Sequence, residues 1–338
     1  MKILIRADAY PDIALGHLGR CIRLGQSLRA KSHDINFLVY DDCTAIKRLE
    51  DANFDYHLIP YKINDASTFE QELEVLSARS ALIDVFIVDS YSVDEHYFDR
   101  IKGLFKNVVY LDDLGSDFNV DMVINPSCKV QENHYISRSV LCGMDYVILG
   151  SEYTMGKQVT NDNKCDSILV TMGGIDHYDL SSRVIPMLES IAPNIIVNMV
   201  IGPYYENVDK IKYTAHRSKL EINFFEGLSN ISSVILQSDV AISAGGFTVY
   251  ELAAMSTPCV GIALWKNQNE NIECLSNKET LMPLYYTDDI SFDEELKNSI
   301  ATILENSSLR ANMAMAARNA VDGRGSDRIS KVITRNYA

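Results

Sequence analysis

Apolar, strand-like runs alternate with stretches of helical periodicity twice over in this chain, a pattern that admits few folds. In the first half the runs are Lys2–Arg6, Ile35–Tyr40, Val85–Asp89, Val108–Leu111, Met122–Ile124 and Tyr146–Leu149, and residues such as Phe69, Leu73 and Leu76 carry helical spacing between them. In the second half they are Ser167–Thr171, Ile195–Ile201, Ile222–Phe225, Val240–Ser243 and Cys259–Ala263. Helices are expected around Leu180–Ile191, Ser229–Gln237, Thr248–Met255 and Asn267–Lys278. Each half therefore predicts a parallel sheet with crossover helices. The polar, aperiodic stretch Met155–Asp166 is the expected linker. The fold class is α/β, two doubly wound domains in tandem, with the carboxyl ends of both sets of strands facing a central cleft.

At 338 residues, 47% hydrophobic and 23% charged, the chain has the composition of a globular protein. The net charge of −15 is shared by both halves and disfavours nucleic acid and anionic membrane surfaces, which select basic patches. No apolar run is long enough to cross a bilayer, and Met1–Arg6 turns polar too soon for a signal-peptide core. The seven cysteines are odd in number, scattered and never in a Cys-x-x-Cys pair. They argue for reduced thiols in a cytosol, against a zinc site and against a disulfide framework. The expectation is a cytoplasmic protein, monomeric or weakly dimeric, without stable membrane insertion.

Three turns stand out for chemistry. Gly16-His17 follows the first strand and opens a helix in which Leu18, Cys21, Ile22, Gly25 and Leu28 recur at helical spacing. A helix start leaves amides that favour negative charge, and an imidazole beside such an anion site can act on a phosphate ester. Met172-Gly173-Gly174 and Ser243-Ala244-Gly245-Gly246-Phe247-Thr248 are strand-to-helix turns whose small residues admit close backbone approach. Glu251, in the helix that follows, is placed to accept from ribose hydroxyls. No Gly-x-Gly-x-x-Gly occurs, which weakens a dinucleotide-dehydrogenase reading. Asp112-Asp113 reads as a loop after a strand rather than a metal pair, and Asp8 and Asp89 as orienting or structural carboxylates.

Arg6-Ala-Asp8 through Gly16-His17-Leu-Gly-Arg20-Cys21 is followed in order by Ile87-Val-Asp89-Ser-Tyr91, Tyr110-Leu-Asp112-Asp113-Leu, Ile124-Asn125-Pro126, Val170-Thr-Met-Gly173-Gly174-Ile-Asp176, Ser243-Ala-Gly245-Gly246 to Tyr250-Glu251, and Lys266-Asn267-Gln268. From Met1 to about Lys278 this series resembles the UDP-2,4-diacetamido-2,4,6-trideoxy-β-L-altropyranose hydrolases of pseudaminic acid biosynthesis. It is more distantly similar to spore-coat polysaccharide proteins and to the N-acetylglucosaminyltransferase that makes lipid II.

The resemblance implies a GT-B fold: residues 1–153 as the sugar-side domain, 154–318 as the UDP domain, and a helix in 319–338 packing back on the first. It implies a metal-independent, inverting hydrolase without cofactor that frees UDP and sugar from a UDP-sugar. His17 and Tyr91 match catalytic positions, with Gly16, Asp8, Asn267 and Gln268 on the sugar side. Gly173, Gly174, Ala244, Gly245, Gly246, Thr248 and Glu251 match the UDP site, and the turn Glu226-Gly227-Leu228 with Ile231 receives the uracil through backbone groups.

Three positions depart from the family pattern: Ala14 where Gly-x-Gly-His is usual, Ser90 in place of a histidine before the tyrosine, and Gly150 in place of an arginine. Such changes alter the polar groups a site must satisfy. A glycosyltransferase of the same fold and a nucleotide-sugar-binding protein without turnover therefore stand beside the hydrolase.

Overall fold

A computed structural model describes residues 1–10, 15–59, 66–154, 156 and 164–338; Ala14 and most of the expected linker Met155–Asp166 lie outside the described residues. The chain divides into two compact units, Met1–Gly150 with Arg324–Ala338, and Ser151–Gly323.

The first unit runs β1 (Lys2–Ala7), α1 (Gly16–Arg29), β2 (Asp34–Tyr40), α2 (Cys43–Asp51), β3 (Asp55–Ile59), α3 (Ala66–Ser77), β4 (Val85–Asp89), α4 (Glu95–Lys102), β5 (Val108–Leu111), β6 (Met122–Asn125) and β7 (Ser139–Cys142). Its seven strands pair in the order β3-β2-β1-β4-β5-β6-β7, and every pair is parallel. The inner strands β4, β5 and β6 are buried throughout, with helices on both faces, which is why they read as unbroken apolar runs. Asp42 and Asp94 start α2 and α4 by accepting backbone N–H groups of the first turn.

The second unit runs β8 (Ser167–Thr171), α5 (Leu180–Ile191), β9 (Ile196–Ile201), α6 (Val208–Arg217), β10 (Glu221–Glu226), α7 (Ser232–Leu236), β11 (Val240–Ala244), α8 (Thr248–Ala254), β12 (Cys259–Ala263), α9 (Lys266–Ser276), β13 (Leu281–Tyr285), α10 (Ile290–Glu305) and α11 (Ser307–Ala320). Its sheet is parallel in the order β10-β9-β8-β11-β12-β13. Both units are thus Rossmann-like, and the strand order reverses between β1 and β4 in one and between β8 and β11 in the other. Loops diverge at such a point, so it is where an open α/β sheet forms a ligand crevice.

Two readings from the sequence need correction. Strands β3, β7 and β13 were not expected; each is an edge strand with one neighbour, partly exposed, and β13 contains Pro283, which an edge tolerates. Conversely, Tyr146–Leu149 is not a strand. A 3-10 turn at Met144–Tyr146 leads into a buried but unpaired Val147–Leu149. Its apolar character serves packing beneath the last helix, α12 (Gly325–Tyr337). There a β-carbon at Gly325 would lie 2.1 Å from the Val147 carbonyl oxygen, and the Ser326 hydroxyl donates to the Leu149 carbonyl at 2.5 Å. α12 also packs on α1, through Ser27–Ser330 (2.9 Å) and Lys31–Asp327 (2.7 Å), with Ile329 and Ile333 buried in the first unit's core. Cys21, Cys43, Cys142, Cys165 and Cys259 are free thiols.

Candidate functional site

In the first unit the chemistry gathers where β1, β4 and β5 end. His17 lies in the first turn of α1, and Arg20 follows three residues later on the same helix face. Their common partner is Asp89, the last residue of β4, which is fully buried. His17 Nδ1 donates to Asp89 Oδ1 at 2.5 Å. Arg20 grips both carboxylate oxygens at 2.6 Å, and the Cys21 thiol donates to Oδ2 at 3.3 Å. Arg20 then reaches Asp113 at 2.7 Å, which in turn accepts the Tyr91 hydroxyl at 3.1 Å. The Tyr91 ring meets the His17 ring edge-on, with centroids 4.3 Å apart.

The electrostatics follow from this packing. Burial alone would push the Asp89 carboxyl up, but the Arg20 guanidinium, and after it His17, hold it well below the usual carboxylate range. Burial also works against the Arg20 charge, yet Asp113 and Asp89 outweigh it and keep the guanidinium protonated. Burial and then Asp113 raise the Tyr91 phenol far above its ordinary value, so Tyr91 serves as a hydroxyl donor. With an ionised Asp89 accepting from Nδ1, the neutral imidazole carries its proton there and leaves Nε2 free to accept one. This is the arrangement of a general base oriented by a carboxylate.

Asp8 and Ser90 belong to the layer beneath. Asp8 is fully buried and accepts from Arg6 (2.5 Å), the Ser90 hydroxyl (2.7 Å) and the Tyr91 backbone N–H (3.2 Å). Arg6 is itself paired with buried Glu72 at 3.0 Å. Asp8 thereby fixes the loop that carries Tyr91, and Ser90 is part of the same scaffold. Gly16 is open, with nothing within 4 Å of a built β-carbon. Asp112 anchors its own turn, accepting the Leu114 and Gly115 N–H groups (both 2.9 Å) and the Tyr135 hydroxyl (2.5 Å). Among the described residues no group of three or more His, Cys, Asp or Glu side chains gathers as a metal site. The buried Gly150 closes the first unit's main segment.

In the second unit the glycine turns follow β8 and β11, at the switch point. Gly173 has φ +75° and open space around it. The Gly174 carbonyl accepts from Tyr204 N–H at 2.9 Å, and Gly202 must be glycine because a β-carbon there would meet the Gly173 oxygen at 2.2 Å. The two glycines of the other turn differ in kind. Gly245 is required by packing, since a β-carbon would lie 2.7 Å from Ile272 of α9, and its carbonyl accepts from Asn271 at 3.0 Å. Gly246 is open. The start of α5 is closed by Asp176, which accepts the Leu180 and Ser181 N–H groups at 2.9 Å, whereas α8 begins without a side-chain cap.

Glu251 is buried in the first turn of α8, near Thr248. Asn267 is exposed at the start of α9, while the Gln268 Oε1 accepts the Leu264 N–H at 2.9 Å. Leu228 follows Gly227 (φ +66°) at the end of β10, on the sheet's edge. Ile231 donates its N–H to the Tyr153 hydroxyl at 3.4 Å and accepts from Ile235, so its backbone already has partners. Sequence reasoning missed Arg20 and Asp113 as members of the histidine's network. The three-residue spacing of His17 and Arg20 was the available signal.

Residues 167–328 match the glycosyltransferase family 28 C-terminal domain. The chain is 22% identical over 346 residues to the spore coat polysaccharide biosynthesis protein SpsG of Bacillus subtilis, covering 100% of this chain and 99% of that protein. It is 25% identical over 289 residues to an uncharacterized protein of Methanocaldococcus jannaschii, covering 81% of this chain and 57% of that protein. It is 23% identical to the pseudaminic acid cytidylyltransferase and UDP-2,4-diacetamido-2,4,6-trideoxy-beta-L-altropyranose hydrolase of Helicobacter pylori, covering 79% of this chain and 45% of that protein. The chain thus spans about half the length of these last two relatives. Acinetobacter baumannii MurG superposes with a TM-score of 0.71 at 14% identity, over 99% of each chain. The fold is that of the GT-B glycosyltransferases.

Proposed function

We propose that this chain is a nucleotide-sugar hydrolase that releases UDP and a free diacetamido-trideoxy sugar from a UDP-sugar, in nonulosonic (pseudaminic) acid biosynthesis. The observation that carries the reading is His17, held by ionised Asp89 with Nε2 left to accept a proton. His17 takes a proton from water, the water oxygen bonds to the anomeric carbon, and the bond from that carbon to the diphosphate oxygen breaks with its electron pair leaving on UDP. A direct displacement of this kind inverts the anomeric centre. UDP is a good leaving group, so a second carboxylic acid is less needed than in ordinary glycoside hydrolysis. Tyr91, whose hydroxyl donates to Asp113, packs edge-on against the His17 ring beside the reacting centre, and Asp8 positions Tyr91. The reading assigns the diphosphate to the Gly173–Gly174 and Ala244–Thr248 turns, the ribose to Glu251, the uracil to the Leu228 and Ile231 segment, and the sugar to Gly16, Asn267 and Gln268.

The match to a glycosyltransferase domain over residues 167–328 favours a second reading, transfer of the sugar to an acceptor hydroxyl. Incubating the protein with a UDP-diacetamido sugar, without acceptor and with EDTA, and following UDP and free sugar by NMR separates the two. Release under those conditions is the expected result, because backbone amides rather than a metal stabilise the leaving diphosphate. Turnover that waits for an acceptor makes the protein a transferase, and binding without turnover makes it a carrier. Activity lost to EDTA and restored by magnesium or manganese would refute the metal-free cradle. Glu251→Ala is expected to weaken UDP binding by about 1.5 to 3 kcal/mol, the scale of hydrogen bonds to a charged group. Calorimetry showing unchanged affinity removes Glu251 from the ribose site.

A further inference from the structure

Trp265, the chain's single tryptophan, is 48% exposed at the residue that precedes α9, two residues after β12. It is the outer end of an aromatic series rooted in the core. Its ring lies 5.5 Å from those of His177 and Tyr178, Tyr178 stacks on Tyr286 at 3.8 Å, and Tyr286 meets buried Phe292 at 5.0 Å. His177 and Tyr178 come from the loop after β8, so two strand ends of one sheet edge build this wall. Core packing alone does not call for a tryptophan left half in solvent, and the stack behind it restricts its movement. A rigid, exposed aromatic face is a surface suited to ligand contact.

We infer that Trp265, backed by His177 and Tyr178, is the wall against which the glycosyl group of the nucleotide sugar packs, and so determines which sugars the protein accepts. This rests on the nucleotide-sugar reading above. The order of strands chooses the glycosyl group over the base. The edge runs β10-β9-β8-β11-β12-β13, with the uracil assigned beyond β10 and the diphosphate beyond β8 and β11. A ligand continuing in the same direction brings its third part to β12, where Trp265 stands. From β10 to β12 is four strand spacings, about 19 Å at roughly 4.8 Å each, comparable to the reach of an extended nucleotide sugar. A deoxy sugar bearing acetamido methyl groups presents apolar surface, for which an aromatic face is the complementary chemistry.

The single tryptophan reports its own occupancy. Full-length protein carrying His17→Asn, so that the ligand stays intact, is titrated with UDP and with the UDP-diacetamido sugar, with tryptophan emission and calorimetry as readouts. UDP is expected to bind without moving the emission, while the UDP-sugar shifts it to shorter wavelength as solvent leaves the ring. Adding Trp265→Ala is expected to leave UDP affinity unchanged and to weaken the UDP-sugar roughly tenfold, with Trp265→Phe recovering part of the loss. An equal emission shift with UDP alone, or an equal loss of affinity for UDP in the alanine variant, overturns the proposal by putting the base on Trp265. Undiminished UDP-sugar binding in that variant overturns it as well. Failure of the parent protein to bind UDP by calorimetry refutes the nucleotide-sugar reading itself and the wall with it.

Discussion

His17→Asn is expected to lower turnover about a hundredfold or more while leaving UDP affinity nearly intact, because a positioned general base contributes on that scale. Asparagine keeps a polar group in the first turn of α1 but cannot take a proton from water. UDP is assigned to turns of the other compact unit, so its affinity, measured by calorimetry, has no reason to change. The two readouts together distinguish loss of the base from loss of the site. Full activity in the variant would end the assignment of His17, and a matched loss of UDP binding would place the nucleotide against the histidine instead.

Asp89→Asn is expected to reduce turnover by about 10² to 10⁴, the range for general acid–base catalysis, and also to destabilise the unit that contains it. Asparagine removes the charge that orients His17 and takes from the buried Arg20 the carboxylate it holds through two N–H groups. Breaking a buried pair in this way costs about 3 to 5 kcal/mol. The pH dependence has a definite sign. The folded-state Asp89 carboxyl is depressed below its unfolded value of about 3.9, so its stabilising contribution is complete above that value and is lost as pH falls toward the folded pKa. Urea midpoints measured from pH 7 to pH 3 should fall more steeply for the unsubstituted protein than for the variant in the acid range. Parallel curves would mean that Asp89 is not held ionised by Arg20 and His17.

The α/β class and two-domain organisation were legible because β4, β5, β6, β8, β11 and β12 are covered on both faces. Burial on both sides removes the polar alternation that would otherwise disguise a strand, and each leaves a contiguous apolar signature. Edge strands leave a weaker one: Asp55–Ile59 and Ser139–Cys142 mix polar and apolar residues because only one flank is paired. The Tyr146–Leu149 run shows the converse limit, since apolar residues buried under α12 look the same in sequence as residues buried in a sheet.

By itself the sequence determined the residue types of the candidate site and their local settings: a histidine opening a helix, an arginine one turn on, an aspartate ending a strand, and glycines between strand and helix. Those are short-range facts, governed by strand and helix periodicity and by where a backbone can turn. Only the tertiary structure decided which of them meet. His17 and Asp89 are 72 residues apart and Arg20 and Asp113 are 93 apart, and they touch because β1, β4 and β5 are neighbours in the sheet. Tertiary packing also separated glycines that look alike, giving Gly245 to the approach of Ile272 while leaving Gly246 open. It likewise turned Asp8, a candidate for the sugar, into the support beneath Tyr91. Side-chain pairing between distant segments depends on sheet order and register, and those are set by the burial of all the strands together.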